Sequence, residues 1–365
     1  MASPDSALAT LIERVASARA RGQALEIRGG GSKSFYGEAP RGELLEMSGL
    51  AGISSYEPTE LVVTARAGTS LAELEAVLEE RGQCLPFEPP RFAAGGTVGG
   101  MVAAGLAGPS RAAVGCVRDH VLGLTLLNGN GEVLSFGGQV AKNVAGYDVS
   151  RLIVGSWGIL GIVCEVSIKV LPIAPASATV SFDCRQHEAL KQLNTWRAKP
   201  LPINASVWHR DRLYVRLSGA RAAVATACRE FGGTQLSPEA AQAWWCSVRD
   251  QRHDFFSISQ DALQRGECLW RVSVPGTSPA LDLPGEEFIE WQGAQRWLRS
   301  SVSATVVRAV AARVGGHATL VRAQDKSAGA FTPLNEVLMR IHRNLKQSFD
   351  PQHILNPGRL YAGLQ

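Results

Sequence analysis

The sequence has few of the groupings that fix a function on their own. Its seven cysteines, at 84, 116, 164, 184, 228, 246 and 268, include no C-x-x-C pair. That argues against a disulfide framework and a protein-bound iron–sulfur cluster, whose thiolates come closely spaced. The seven histidines are equally scattered, with no H-E-x-x-H, so no metal site is expected. Charge is sparse and balanced: 37 basic against 33 acidic residues leave a net +4, and no basic run exceeds Arg19-Ala20-Arg21. This argues against nucleic acid or an anionic membrane as partner and for a small molecule. Long apolar runs are missing too. The longest, 152–164, is interrupted by Gly155, Ser156, Gly158 and Gly161 and stopped by Glu165, too short to span a bilayer. The N-terminal segment carries charges through its apolar positions, unlike a secretory leader. A cytoplasmic protein is expected, with at most peripheral membrane association.

Glycine is what the chain does have, unevenly. Of 38 glycines, 26 lie at or before Gly161, whereas seven of the eight tryptophans lie between Trp196 and Trp297. With 365 residues, the chain is long for one core, and the shift marks a boundary between two differently built halves. The expected division is 1–176, 177–330, and a C-terminal helix and tail over 331–365.

Leu8, Leu11, Ile12 and Val15 follow helical spacing over 5–20. Leu25-Glu26-Ile27-Arg28 alternates like a strand and runs into Gly29-Gly30-Gly31-Ser32-Lys33-Ser34. A strand that ends in three glycines, a hydroxyl and a lysine is a candidate anion cradle, because clustered backbone donors form a positive concavity. It fails the P-loop pattern, and Ser34 stands where G-x-G-x-x-G needs its last glycine. A strand over 61–67 precedes a helix opened by the capping box Ser70-Leu71-Ala72-Glu73. The stretch 94–108 follows, AGGTVGGMVAAGLAG, with Gly95, Gly96, Gly99 and Gly100 around Thr97 and Val98. On glycine count alone this is a tight turn; as a loop beside a ligand, it lets bulky groups approach the backbone. Two strands around the turn 128–131, the segment KNVAGYD (142–148), and a glycine-led strand through 158–170 complete the first half. The second half alternates strand-like pieces (179–182, 213–217, 269–274, 288–291, 318–322) with helical ones (188–197, 220–231, 304–314), as an α+β domain with one antiparallel sheet does. Leu334, Val337, Leu338, Ile341 and Leu345 mark a last amphipathic helix.

The order of the pieces carries more than any one of them. RGGGSK after a strand, then AGGTVGG, GPSRAAVGCVRDHVLG and KNVAGYDVSRLIVGSWGILGIV resemble the FAD-binding domain of the vanillyl-alcohol oxidase and p-cresol methylhydroxylase (PCMH-type) superfamily over about residues 20–175. The tail FDPQHILNPGRLY is similar to that of its glycolate oxidase and D-lactate dehydrogenase branch, and GLAGPSR with GGQVAKNVAGYDVSRL resembles the E-subunit family of bacterial glycolate oxidase. The resemblance implies an α+β fold: a PCMH-type FAD-binding domain of two α+β subdomains, then a smaller α+β cap domain. It implies FAD against Gly29, Gly30, Gly31, Ser32 and Lys33 at its pyrophosphate. Gly95, Gly96, Thr97, Val98, Gly99, Gly100, Gly105 and Gly108 would run along pyrophosphate and ribityl chain, and Gly158, Gly161, Ile162 and Val163 at the adenosine end, with Lys142, Gly146 and Asp148 also near the cofactor. It further implies a complex that oxidises a small 2-hydroxy acid, with a larger FAD-containing subunit and an iron–sulfur subunit as partners.

Two departures qualify that picture. Covalently flavinylated relatives carry histidine in the first glycine loop where this chain has Ser32, so FAD is expected to be noncovalent. The histidine-rich metal and base motif of relatives that oxidise 2-hydroxy acids unaided is absent, Gly315-Gly316-His317 being the nearest fragment. No catalytic residue is assigned from the sequence.

Overall fold

A computed structural model describes residues 4–138 and 147–364. It divides into two compact units, one formed by Met1–Leu106, Cys116–Pro172 and Pro333–Gln365, the other by Ala107–Gly115 and Ile173–Thr332.

In the first unit a five-stranded antiparallel sheet runs in the order Ile53–Glu57, Val62–Arg66, Ile162–Lys169, Val121–Leu127, Val133–Gly137. The two strands at positions two and three are buried along almost their whole length, and their buried hydroxyls, Thr64 and Ser167, bond each other at 2.8 Å. A separate parallel pair joins Leu25–Arg28 to Glu43–Glu46. Ser70 caps the helix Leu71–Glu79 by accepting from the Ala72 amide, and Leu71, Leu74 and Leu78 fill the core beneath it.

The glycine-rich stretch is not a loop throughout: Val98–Ala104 is a helix, capped by Thr97, whose Oγ1 accepts from the Gly100 amide at 3.2 Å. Gly99 and Gly100 have poor helix propensity, but packing decides the matter. A Cβ on Gly99 would stand 2.6 Å from the Ala67 Cβ, so only glycine lets this helix sit so close to its neighbour.

The second unit is built on one eight-stranded sheet, every neighbouring pair antiparallel. Its order is Thr234–Gln235, Ala176–Asp183, Arg212–Gly219, Ile203–His209, Glu286–Glu290, Gln295–Ser300, Cys268–Ser273, His317–Arg322. Helices Gln186–Arg197 and Arg221–Phe231 supply Leu193, Trp196, Val224 and Ala227 to one hydrophobic cluster, and Ala304–Arg313 supplies Val307, Val310 and Ala311 to another. Helix Pro238–Arg249 is tied to the sheet by Trp245, whose indole N–H donates to Thr179 Oγ1 at 2.9 Å.

The C-terminal helix Glu336–Phe349 and the tail after it belong to the first unit. Lys346 is fully buried, and its ammonium uses three donors on three acceptors: the Ile159 carbonyl at 2.8 Å, the Leu355 carbonyl at 2.7 Å and Asp350 Oδ2 at 2.6 Å. Asp350, also fully buried, accepts from the amides of Ile354 and Leu355. Beyond this knot the tail pairs with the first strand, Leu25 N donating to Ile354 O and Asn356 N to Leu25 O. Removing one member of a buried, fully bonded ion pair strands the other. Lys346→Met is therefore expected to destabilise the protein by roughly 3–5 kcal/mol, measured as a fall in the midpoint of chemical unfolding, with Lys346→Met/Asp350→Leu recovering part of the loss.

Candidate cofactor site

The first unit encloses a groove of about 840 Å³, counting its open mouth, walled by residues 26–34, by Thr97, Gly99, Gly100, Ala103 and Ala104, by Trp157, Gly158, Gly161 and Val163, and by Asn356 and Arg359. Its floor is set by two glycine segments in backbone contact. A Cβ on Gly30 would lie 1.3 Å from the Gly95 carbonyl oxygen, and one on Gly29 would lie 2.2 Å from Thr97 Oγ1. No side chain fits there.

The two segments differ in their free donors. In the second segment Val98 N donates to Thr69 O, Gly99 N to Ala67 O and Gly100 N to Thr97 Oγ1, so its free amides, among the described residues, are those of Gly95, Gly96 and Thr97. By contrast, none of the amides of residues 29–33 finds an acceptor among the described residues. A run of unmatched N–H groups beside a cavity is a nest for an anion.

Two cations stand beside that nest. Lys33 is 9% exposed, its ammonium donates to Ser32 Oγ at 3.5 Å, and burial pulls its pKa down to about 8. Arg359 is 6% exposed; its Nη2 reaches the carbonyls of Lys33 and Ser34 at 3.3 Å each, its guanidinium lies over the Trp157 ring at 5.2 Å, and its Nη1 is buried without a partner. Burial lowers its pKa to about 10, against the opposing pull of Glu26 and Glu38. Neither cation has a carboxylate within ion-pair distance among the described residues, and Glu26, the one carboxylate on the wall, is paired with Arg28. Buried charge is normally paired; two buried cations facing free amides call for a multiply charged anion.

Asn356 positions the far wall. Its Oδ1 accepts from Ile27 N at 2.8 Å and its Nδ2 donates to Trp157 O at 2.7 Å, which holds Trp157 at a φ of +54° with its ring stacked on Tyr36 at 5.3 Å. A Cβ on Gly158 would meet Asn356 Nδ2 at 2.7 Å.

Of the residues singled out from sequence, Gly29, Gly30, Gly31, Ser32, Lys33, Thr97, Gly99, Gly100, Gly158, Gly161 and Val163 are on the groove wall. Gly95 backs Gly30, Gly96 faces Leu71, and Val98 is buried in the core. Gly105 closes its helix in the left-handed conformation against Gly155. Ile162 is buried in its strand. Gly108 belongs to the second unit, where its carbonyl accepts from the Trp291 indole at 2.9 Å. Asp148 caps helix Val149–Ile153 and pairs with Arg151. Lys142 and Gly146 lie outside the described residues. Asn356, Arg359 and Trp157 were not singled out, although the first two stand in the NPGRLY tail; nothing local in that motif says which strand it returns to.

Among the described residues no histidine, cysteine or tyrosine is on the groove wall, and its titratable groups are Lys33, Arg28, Arg359 and the paired Glu26, a set suited to holding an anion.

Comparison with known proteins agrees with this chemistry. Residues 5–137 match the model of an FAD binding domain. The chain is 44% identical over 354 residues to glycolate oxidase subunit GlcE of Escherichia coli (strain K12), covering 97% of each. It is 33% identical over 147 residues to glycolate oxidase subunit GlcD of Bacillus subtilis (strain 168), covering 40% of this chain and 31% of that one. An alkyldihydroxyacetonephosphate synthase structure shares the fold, with a TM-score of 0.64 at 14% identity, covering 95% of this chain and 74% of the other. A nest with two unmatched cations on a glycine-walled groove suits the diphosphate of FAD, and by its sequence the chain belongs to the family of FAD-dependent oxidoreductases that contains glycolate oxidase subunit GlcE.

Proposed function

We propose that this chain is the FAD-holding subunit of a multi-subunit complex that oxidises glycolate, or a closely similar 2-hydroxy acid, to the 2-oxo acid. The observation that carries the site assignment is the pair of buried, uncompensated cations Lys33 and Arg359 at the free amides of residues 29–33. A diphosphate supplies two negative charges and several acceptors to that donor set. Gly99, Gly100, Ala103 and Ala104 leave the width that the ribityl chain needs, and Gly158, Gly161 and Val163 wall the adenosine end. Bound FAD supplies the two-electron chemistry; the protein's part is to hold it, to exclude water from its diphosphate and to keep Lys33 protonated there. Ser32 offers no attachment point for a covalent flavin, so the cofactor is released on denaturation.

The partners in this reading are a larger FAD-containing subunit with the substrate site and an iron–sulfur subunit. The described wall commits Lys33 to the anion nest and Glu26 to Arg28, which favours electron relay or cofactor storage here over substrate oxidation. No helix among the described residues is long and apolar enough to cross a membrane, and the complex is placed in the cytoplasm, peripheral to the membrane at most.

Purified chain should be yellow, with acid precipitation releasing one FAD per chain; a colourless chain that takes up no FAD would sink the reading. The complex reassembled with this subunit should reduce an artificial acceptor with glycolate, and omission of the subunit should stop it. Gly30→Ala, which forces Gly95 away, is expected to purify with little or no FAD while keeping the far-ultraviolet circular dichroism of the parent.

The pH dependence has a definite sign. In the free chain Lys33 titrates near 8, below its ordinary value of 10.5, and a diphosphate beside the ammonium raises it again. Binding then takes up a proton above pH 8. FAD affinity, read by flavin fluorescence, should be constant below about pH 8 and weaken between there and pH 10, approaching about tenfold per unit. Lys33→Met should bind more weakly and show a flat profile. In the free chain the same shift lets stability rise with pH from about 8 towards 10.5, since the unfolded lysine keeps its proton longer.

A further inference from the structure

The C-terminal helix Glu336–Phe349 is strongly amphipathic, yet the side it packs is not its apolar side. Lys346 faces the core, and His342 and Phe349 lie half-buried beside it, against Tyr361 at 6.1 Å and Phe136 at 6.4 Å. The apolar ridge lies round from this face and is left to solvent. Val337, Leu338 and Ile341 are 56%, 43% and 47% exposed, with Leu345 half-buried at the end of the row. Their spacing, four residues from Val337 to Ile341 to Leu345 and three from Leu338 to Ile341, is that of a ridge that meshes with a second helix.

We propose that this ridge docks a helix of a second, different subunit of the oxidase, one whose apolar stripe is flanked by carboxylates. The proposal rests on the multi-subunit reading above. Exposed charge on the helix is net basic, Arg340 and Arg343 against Glu336; Arg340 flanks the ridge beside Ile341, while Arg343 lies towards the opposite side of the helix and donates to the Gly363 carbonyl at 3.4 Å. A second copy packed antiparallel across a two-fold axis at Ile341 would bring its Arg340 against the Arg340 of the first, so an acidic partner fits the ridge better than the chain itself does. Size points the same way. A helix of 14 residues is about 20 Å long, and one face of it supplies only part of the roughly 1,200–2,000 Å² that a stable pairwise interface buries. The ridge is one contact of an assembly held at several surfaces, not a homodimer interface on its own. It is also held rigid: Lys346 fixes the helix to the carbonyls of Ile159 and Leu355, so docking does not have to order it first.

The test uses the full chain, tagged and co-expressed with the other subunits of its oxidase. Ile341→Asp should cut the partner subunits recovered with the tag by about tenfold or more, with FAD per chain unchanged. Val306→Asp, at an equally exposed apolar position of the second unit, should recover them in full. Arg340→Glu should also lower recovery. If Ile341→Asp does not fold, the milder Val337→Ser/Leu338→Ser is read in its place. Full recovery with the folded ridge variant overturns the proposal, as does a wild-type chain recovered without partners. So does an isolated chain that light scattering shows to be a dimer and that Ile341→Asp makes monomeric. Recovery is scored on protein: a complex recovered without flavin would count against the cofactor reading and not against the docking ridge.

Discussion

Gly30 and Gly95 meet backbone to backbone, with no room for even one carbon between them, and the rest of the groove is arranged about that contact. Because the segments touch there, the chain leaving the strand Leu25–Arg28 must turn within its three glycines. Its amides from 29 to 33 are thereby left facing open space, with no place in a sheet. Thr97 then starts a helix immediately beyond the contact, and the glycines of that helix bring it against Ala67. The absence of side chains has two effects: it makes a wall thin enough for a bulky cofactor, and it exposes backbone donors that are normally satisfied locally. Lys33 and Arg359 add full charges to those partial ones.

The groove is finished by residues from the other end of the chain. Asn356 bonds Ile27 and Trp157, and Arg359 bonds the carbonyls of Lys33 and Ser34; the bond to Trp157 spans 199 residues and the others more than three hundred. Closing such loops carries an entropic cost that local contacts do not. The Lys346–Asp350 knot answers that cost, since it fixes the tail's path before the tail reaches the strand. The same lysine bonds the Ile159 carbonyl, so the helix that bears the exposed ridge and the GSWGILG segment on the groove wall share one anchor.

Much of this was legible in the sequence, for reasons that can be named. The first glycine loop could be read because a strand pattern runs straight into it, the strand over 62–66 because Val62, Val63 and Thr64 are β-branched, and the strand over 162–169 because Val166 and Ile168 alternate with Glu165, Ser167 and Lys169. The helix Val98–Ala104 was hidden because propensity speaks against Gly-Gly in a first turn, and only the close packing on Ala67 outweighs it. Strands Ile203–His209 and Gln295–Ser300 carry polar and aromatic residues at positions that are interior in a wide sheet, such as Arg296, which is buried and bonded to three carbonyls, so alternation does not reveal them. Asp148 and Gly108 have the residue types of a binding site and are used for a helix cap and an indole acceptor. Arg359 and Asn356 could not be placed from sequence, because their roles exist only once the tail has returned to a strand at the opposite end of the chain.

The balance of chemistry on the groove wall bears on what the subunit contributes. Taking hydrogen from a 2-hydroxy acid needs a group that accepts the hydroxyl proton, and the wall has cations, amides and small side chains, with its one carboxylate already paired to Arg28. A pocket whose described wall has this composition stabilises negative charge. Under the proposed function that is a complementary role: cations next to a flavin's diphosphate tighten its hold, while proton transfer from the substrate falls to another subunit. It follows that the surface joining this chain to that subunit matters as much as the groove, because a cofactor held here is of use only at a fixed distance from the one that meets the substrate. A helix anchored by a buried ion pair and presenting a rigid apolar ridge is suited to fixing that distance, which is why the exposed side of Glu336–Phe349 is better explained by assembly than by chance composition.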